Sequence, residues 1–122
     1  MSAEDIGKAF VAHYYGMRDS TPASLAGLYS PTSTLTFEGT KIDGSTAIIE
    51  KLSSIGTVSH NTSGFTVDIQ AGPGGSTLLI YVVGHMKIGE NPPLHFSQMF
   101  QLVATAPGQY YIHNEFFRLI YS

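Results

Sequence analysis

The sequence predicts a single α+β domain, with three helices first and a long antiparallel sheet after them. Three observations carry that expectation. Helix-type apolar spacing is confined to the first half of the 122 residues. After Gly56 the pattern changes to long apolar runs broken by Gly- and Pro-rich turns. The length suits one hydrophobic core and not two. No internal repeat or linker interrupts the order, and helices followed by strands is the pattern of the α+β class.

From Glu4 to about Arg18, the residues Ile6, Phe10, Tyr14 and Met17 recur at spacings of four, four and three, which is one face of a helix. Thr21-Pro22 opens a second helix, with Thr21 as N-cap and Pro22 at the first helical position. It turns Leu25, Leu28 and Tyr29 inward and stops at Ser30-Pro31. A short strand, Thr34 to Glu38, follows. A third helix, about Ser45 to Ser54, carries Ile48, Ile49 and Leu52 on its apolar side. The remaining strands are expected at Ser63 to Gln70, Thr77 to Ile88, Leu94 to Thr105 and Gln109 to Tyr121. Gly72-Pro73-Gly74-Gly75, Gly89 to Pro93 and Ala106-Pro107-Gly108 mark the turns between them. Leu78 to Val83 is apolar without alternation, which predicts a strand buried on both faces. Three short helices cover one face of such a sheet. A second copy packed sheet to sheet is expected to cover the other, the alternative being a strongly curled sheet that fills its own concave side.

Composition points the same way. Charged residues are 12% of the chain and apolar residues 43%, a balance that favours burial of surface against a partner. A net charge of −3 with six scattered Lys and Arg excludes the clustered basic surface that nucleic acid requires. Without cysteine there is neither a disulfide nor a thiolate to do chemistry. MSAEDIGKAF lacks the charged-then-apolar order of a signal peptide, and no apolar run approaches the ~20 residues that span a bilayer. The expectation is a soluble intracellular protein, with the Asn61-Thr62-Ser63 sequon left unmodified.

Motifs for chemistry are sparse. His85, His95, His113 and Glu115 suggest a metal, and His113 and Glu115, two apart on a strand, are expected to share a face. No third ligand stands at a diagnostic spacing, so polar residues lining a sheet is the reading preferred. There is no Gly-x-Ser-x-Gly, and Gly72 to Gly75 is followed by neither helix nor lysine, so a nucleophile elbow and a phosphate loop are both lacking. His13-Tyr14-Tyr15 on the first helix suits acid–base work on a small hydrophobic molecule. The preferred reading is a packed Tyr14 whose hydroxyl bonds to backbone. Glu38, beside Phe37 at the end of a strand, fits a general base, a rim salt bridge or a handle for a basic partner. With Glu90 in the turn at Gly89 to Pro93, it can ring a mouth that accepts an aromatic anchor flanked by Lys or Arg. Two solvated turn carboxylates fit equally well.

Several stretches then resemble the nuclear transport factor 2 family: His13-Tyr14-Tyr15, Leu25 to Tyr29, LTFEG at 35–39, IIEKLSS at 48–54, Val82-Val83-Gly84, FSQMF at 96–100 and NEFFRL at 114–119. The likeness runs from about Ile6 to Ser122, in the family's order. It implies a strongly bent sheet forming a cone, a roll shared with ketosteroid isomerase and scytalone dehydratase, and a homodimer packed through its sheets. It further implies a non-enzymatic, cofactor-free carrier that takes the GDP form of the small GTPase Ran through the nuclear pore. Such a carrier moves between cytoplasm and nucleus and is enriched at the nuclear envelope, where it touches phenylalanine-glycine nucleoporins. Carried over residue by residue, Phe37 and Glu38 are the family's aromatic–Glu pair, and Ile55, Tyr81 and Phe116 belong to the cavity wall. His60 matches a histidine beside the Ran site. Where the family's loop carries aspartates, this chain has Gly89 and Asn91, leaving Glu90 as the nearby carboxylate. Ala3 stands where the family has a large aromatic for nucleoporins. The alternative is an isomerase- or dehydratase-type enzyme, or a small-molecule binder, of the same cone fold. With the chain ending at Ser122, an appended domain of an RNA-export or stress-granule protein is not expected.

Overall fold

The structure is a computed structural model that describes residues 2–120. Helix α1 (Ala3–Ser20) is closed at its start by a capping box: the Ser2 hydroxyl accepts from the Asp5 N–H at 3.2 Å, and the Asp5 carboxylate accepts from the Ser2 N–H at 3.4 Å. Its buried face is Gly7, Val11, Tyr14, Tyr15 and Arg18. Ile6, Phe10 and Met17 flank this face and pack against the core from the side, so the inward stripe is rotated from the one the spacing predicts. The second helix is a 3₁₀ segment, Pro22–Leu28, and the Thr21 side chain makes no capping bond. Helix α2 (Ser45–Ser54) buries Ile48 and Leu52.

Seven strands form one bent, unclosed sheet: β1 (Tyr29–Phe37), β2 (Thr40–Asp43), β3 (Val58–His60), β4 (Thr66–Ala71), β5 (Thr77–Ile88), β6 (Leu94–Ala106) and β7 (Gln109–Leu119). Their order is β2-β1-β7-β6-β5-β3, and β4 also pairs with β5. The long β5 bends away from one partner to the next, meeting β4 through Leu78 to Val83 and β3 through Met86 to Ile88. The sheet is mixed and not wholly antiparallel as expected, because β1 runs parallel to β7. The first and last long strands are brought side by side after the chain has passed through all the others.

Two short strands, β2 and β3, were not expected. The first follows from Glu38-Gly39, a two-residue loop with φ of 50° and 88° between the paired residues Phe37 and Thr40. Positive φ at both positions is the turn that matches the right-handed twist of a hairpin. The stretch after Phe37 is therefore a strand that folds straight back. The last strand predicted, through Tyr121, is seen to Leu119, and Tyr121 lies outside the described residues.

Helices α1 and α2 lie on one face of the sheet, and between them sit Tyr14, Tyr15, Leu25, Leu35, Ile48, Ile80, Phe96, Phe100 and Ile112, all buried. Within the single chain Leu78 to Val83 is buried on one face: Leu78, Ile80 and Val82 point to the helices, while Leu79 and Tyr81 point out and are 36% and 43% exposed. Among the described residues no helix is long and apolar enough to cross a membrane.

Candidate functional site

A cavity of about 160 Å³ opens between the C-terminal half of α1, the end of α2 and the concave face of the sheet. Phe37, Ile55, Ile88 and Leu119 line it and are half-buried, so they form its mouth. Leu52, Met86 and Phe117 line the apolar wall. Tyr14, Arg18, Gln98 and Glu115 are almost wholly buried and form a polar floor.

The mouth is built by strand ends. Phe37 closes β1 and stacks on Phe117 at 4.7 Å with the rings 8° apart. The Nζ of Lys51, in the last turn of α2, sits 5.0 Å from the centre of the Phe37 ring. Glu38 follows Phe37 in the hairpin loop, its backbone N–H donating to the Phe117 carbonyl at 3.0 Å and its carboxylate accepting from the Leu119 N–H. The carboxylate therefore ties the end of β7 to the β1 hairpin as well as standing at the mouth. Ile55 caps α2. His60 lines the cavity from β3, and its Nδ1 and backbone N–H both engage Asp19 of α1. His60 is thereby fixed to the helix.

The floor is organised round Glu115. Its Oε1 accepts from the Tyr29 hydroxyl, and its Oε2 from the Tyr14 hydroxyl at 3.1 Å and from the Gln98 side-chain amide. The Gln98 carbonyl in turn accepts from the Tyr15 hydroxyl at 2.6 Å. Burial pushes the Glu115 carboxyl up from its ordinary value of 4.5, against the pull of its three donors and of Arg18, which lower it. Burial and the neighbouring Glu115 likewise raise the Tyr14 phenol far above its usual range. Arg18 contributes a guanidinium whose buried Nη1 meets no acceptor among the described residues.

This floor was missed in the sequence. Tyr14 bonds to a buried carboxylate and not to backbone, as had been preferred. His113 and Glu115 do not share a face, because the ladder between β6 and β7 shifts register between Gln101↔Asn114 and Leu102↔Ile112. The extra residue, a bulge, turns His113 outward to Tyr111 while Ile112 and Glu115 both point in. Gln98 and Arg18 did carry a signal. Gln98 interrupts the inward row Phe96, Phe100 and Leu102, and Arg18 completes the spacing Gly7, Val11, Tyr14.

A model of the nuclear transport factor 2 domain matches residues 6–119 of the chain. The chain belongs to the nuclear transport factor 2 family. It is 43% identical to nuclear transport factor 2B of Arabidopsis thaliana over all of this chain and 98% of that one. It is also 43% identical to nuclear transport factor 2 of Oryza sativa subsp. japonica, over the full length of both. The solved structure of nuclear transport factor 2 from Cryptosporidium parvum superposes with a TM-score of 0.87 at 36% identity, covering 97% of this chain and 94% of the other.

Against the family's cavity, the structure brings together Phe37, Ile55 and His60, with Glu38 at the turn beside them. Glu90 and Asn91 lie in the hairpin turn that follows Ile88, where the Asn91 backbone and side-chain amides both donate to the Ile88 carbonyl. Tyr81 and Phe116 are not in the cavity wall. Strand alternation sends both to the outer face of the sheet, where Phe116 is 48% exposed. The aromatic of NEFFRL that lines the cavity is its neighbour Phe117.

Proposed function

We propose that this chain is a nucleocytoplasmic carrier of the small GTPase Ran in its GDP form. The reading rests on full-length kinship to transport factors together with an apolar socket beside a carboxylate. An aromatic anchor from Ran enters between Phe37, Ile55, His60 and Phe117. Burying one phenylalanine ring there contributes roughly 1.5–3 kcal/mol. Glu38, and Glu90 in the turn that follows Ile88, steer basic residues flanking the anchor, and Asn91 shapes the turn that holds Glu90. The family's paired aspartates are replaced here by Gly89 and Asn91, so the steering charge is thinner and association slower at physiological salt. The carrier contacts phenylalanine-glycine nucleoporins during passage, without an aromatic at Ala3.

Tyr81 and Phe116 serve another part of the same proposal. Tyr81, Met99 and Phe116 are direct cross-strand neighbours on β5, β6 and β7 and make an apolar row on the outer face. We assign that row to packing against a second copy.

Calorimetric titration with Ran, loaded in turn with GDP and with a GTP analogue, tests the reading. Heat with the GDP form alone supports it, and no heat with either form overturns it. Glu38→Gln keeps an acceptor for the Leu119 N–H while removing the charge, so it is expected to weaken Ran binding about tenfold with the fold intact.

One observation favours a second reading, an enzyme of the same fold: Glu115 is a carboxyl of raised pKa deep in the cavity. Its oxygens are already engaged by three donors, which suits a structural anchor better than a free base. Retention of full Ran binding by Glu115→Gln separates the two roles.

A further inference from the structure

We propose that the cavity floor is a binding site for a small aromatic carboxylate, with Arg18 as its receptor. The site does not depend on the transport reading, although it shares the cavity with it.

Arg18 is 4% exposed, lines the cavity and has a fully buried Nη1 without an acceptor among the described residues. A buried guanidinium nitrogen left unmatched is costly, and arginines of this kind are normally paired. The two nearby carboxylates are both engaged elsewhere. Asp19, next in the helix, holds His60 through its ring and its backbone. Glu115 is engaged by Tyr14, Tyr29 and Gln98 and makes no ion pair with Arg18. Burial raises the Glu115 carboxyl above its ordinary value of 4.5, although its three donors and Arg18 pull it down.

The rest of the cavity sets the shape of the ligand. Leu52, Ile55, Met86, Ile88, Phe117 and Leu119 offer it apolar contact only. A volume of about 160 Å³ matches the ~150 Å³ apolar cavity known to take up one benzene ring. A single ring with a carboxylate at one end therefore fits: the ring lies against Phe117 and Leu52, and the carboxylate meets the guanidinium. A fork of N–H donors suits a planar carboxylate better than any neutral group.

Benzoate and its neutral isostere benzamide are the probes, titrated into the full chain and followed by calorimetry and by shifts of the Leu52 methyl and Tyr14 ring resonances. The native protein is expected to bind benzoate at least about tenfold more tightly than benzamide, the difference a charged hydrogen bond makes. Arg18→Met is expected to abolish that preference while still binding toluene. Equal binding of the two probes by the native protein would overturn the proposal, as would a preference that survives in Arg18→Met. If that variant does not fold, the arginine side-chain resonances of the native protein decide: Arg18 must shift with benzoate and not with benzamide. No Ran is present in any arm, so failure here leaves the transport reading standing. Displacement of benzoate by Ran is a separate titration.

Discussion

Replacing Glu115 by leucine leaves the Tyr14, Tyr29 and Gln98 donors facing an apolar group inside the molecule. Unsatisfied buried donors cost about 1–3 kcal/mol each, so we expect at least about 3 kcal/mol of destabilisation in urea denaturation. Glu115→Gln instead probes the charge. The carboxyl is raised by burial above its ordinary 4.5, so the folded state holds the proton more tightly than the unfolded chain does. Its contribution is fully present below 4.5 and is lost as pH rises through the raised value. The stability of the native protein relative to Glu115→Gln should therefore fall as pH rises above 4.5. A difference that grew with pH would mean that the three donors outweigh burial. At this scale Phe37 and Glu38 were legible as an aromatic and a carboxylate side by side at a strand end, though not their partners Phe117 and Leu119, the latter 81 residues from Glu38. Glu115 was not, because its partners are 17, 86 and 101 residues away and its facing depends on one bulged residue.

The elements meet at points where a side chain has no room. A Cβ on Gly7 of α1 would lie 2.5 Å from the Ile69 Cδ1 and 2.9 Å from its Cγ1, which is where the helix crosses β4. Alanine at an exposed helix position gains about 1 kcal/mol over glycine. Here the overlap with a β-branched side chain exceeds that gain, and we expect Gly7→Ala to destabilise by about 1–3 kcal/mol. Adding Ile69→Ala should make the alanine at position 7 favourable again, a coupling that a double-mutant cycle measures. If Gly7→Ala is harmless with Ile69 in place, α1 has room to lift from the sheet. The long elements were readable because their periodicity is sustained: α1, α2 and β5 to β7 lie close to their expected limits. The short ones were hidden for local reasons. The four residues of β2 show no period long enough to count, and only the Glu38-Gly39 loop announces them. The parallel contact of β1 with β7 joins the two ends of the chain, and no local pattern encodes it.

For the molecule as a whole, the informative signal was the unbroken apolarity of Leu78 to Val83. The structure resolves it into an inner set that packs under the helices and an outer set, Leu79 and Tyr81, that the chain by itself leaves exposed. Met99 and Phe116 extend the outer set across the neighbouring strands. If a second copy covers this face, folding and association are linked, and the midpoint of thermal unfolding should rise with protein concentration. Phe116→Glu tests the link without touching the core, since Phe116 is about half exposed in the single chain. An exposed substitution away from special features changes the stability of a monomer by about 0.5 kcal/mol or less. A charge buried against a partner's apolar row is far more costly. Sedimentation should therefore show the native protein at twice the chain mass and Phe116→Glu at the chain mass, with the variant's midpoint no longer dependent on concentration. Because the cavity opens on the opposite face of the sheet, the monomeric variant should still bind benzoate. Retention of the dimer by Phe116→Glu would place self-association elsewhere on the molecule, and loss of benzoate binding with the dimer would show that the two faces of the sheet are coupled.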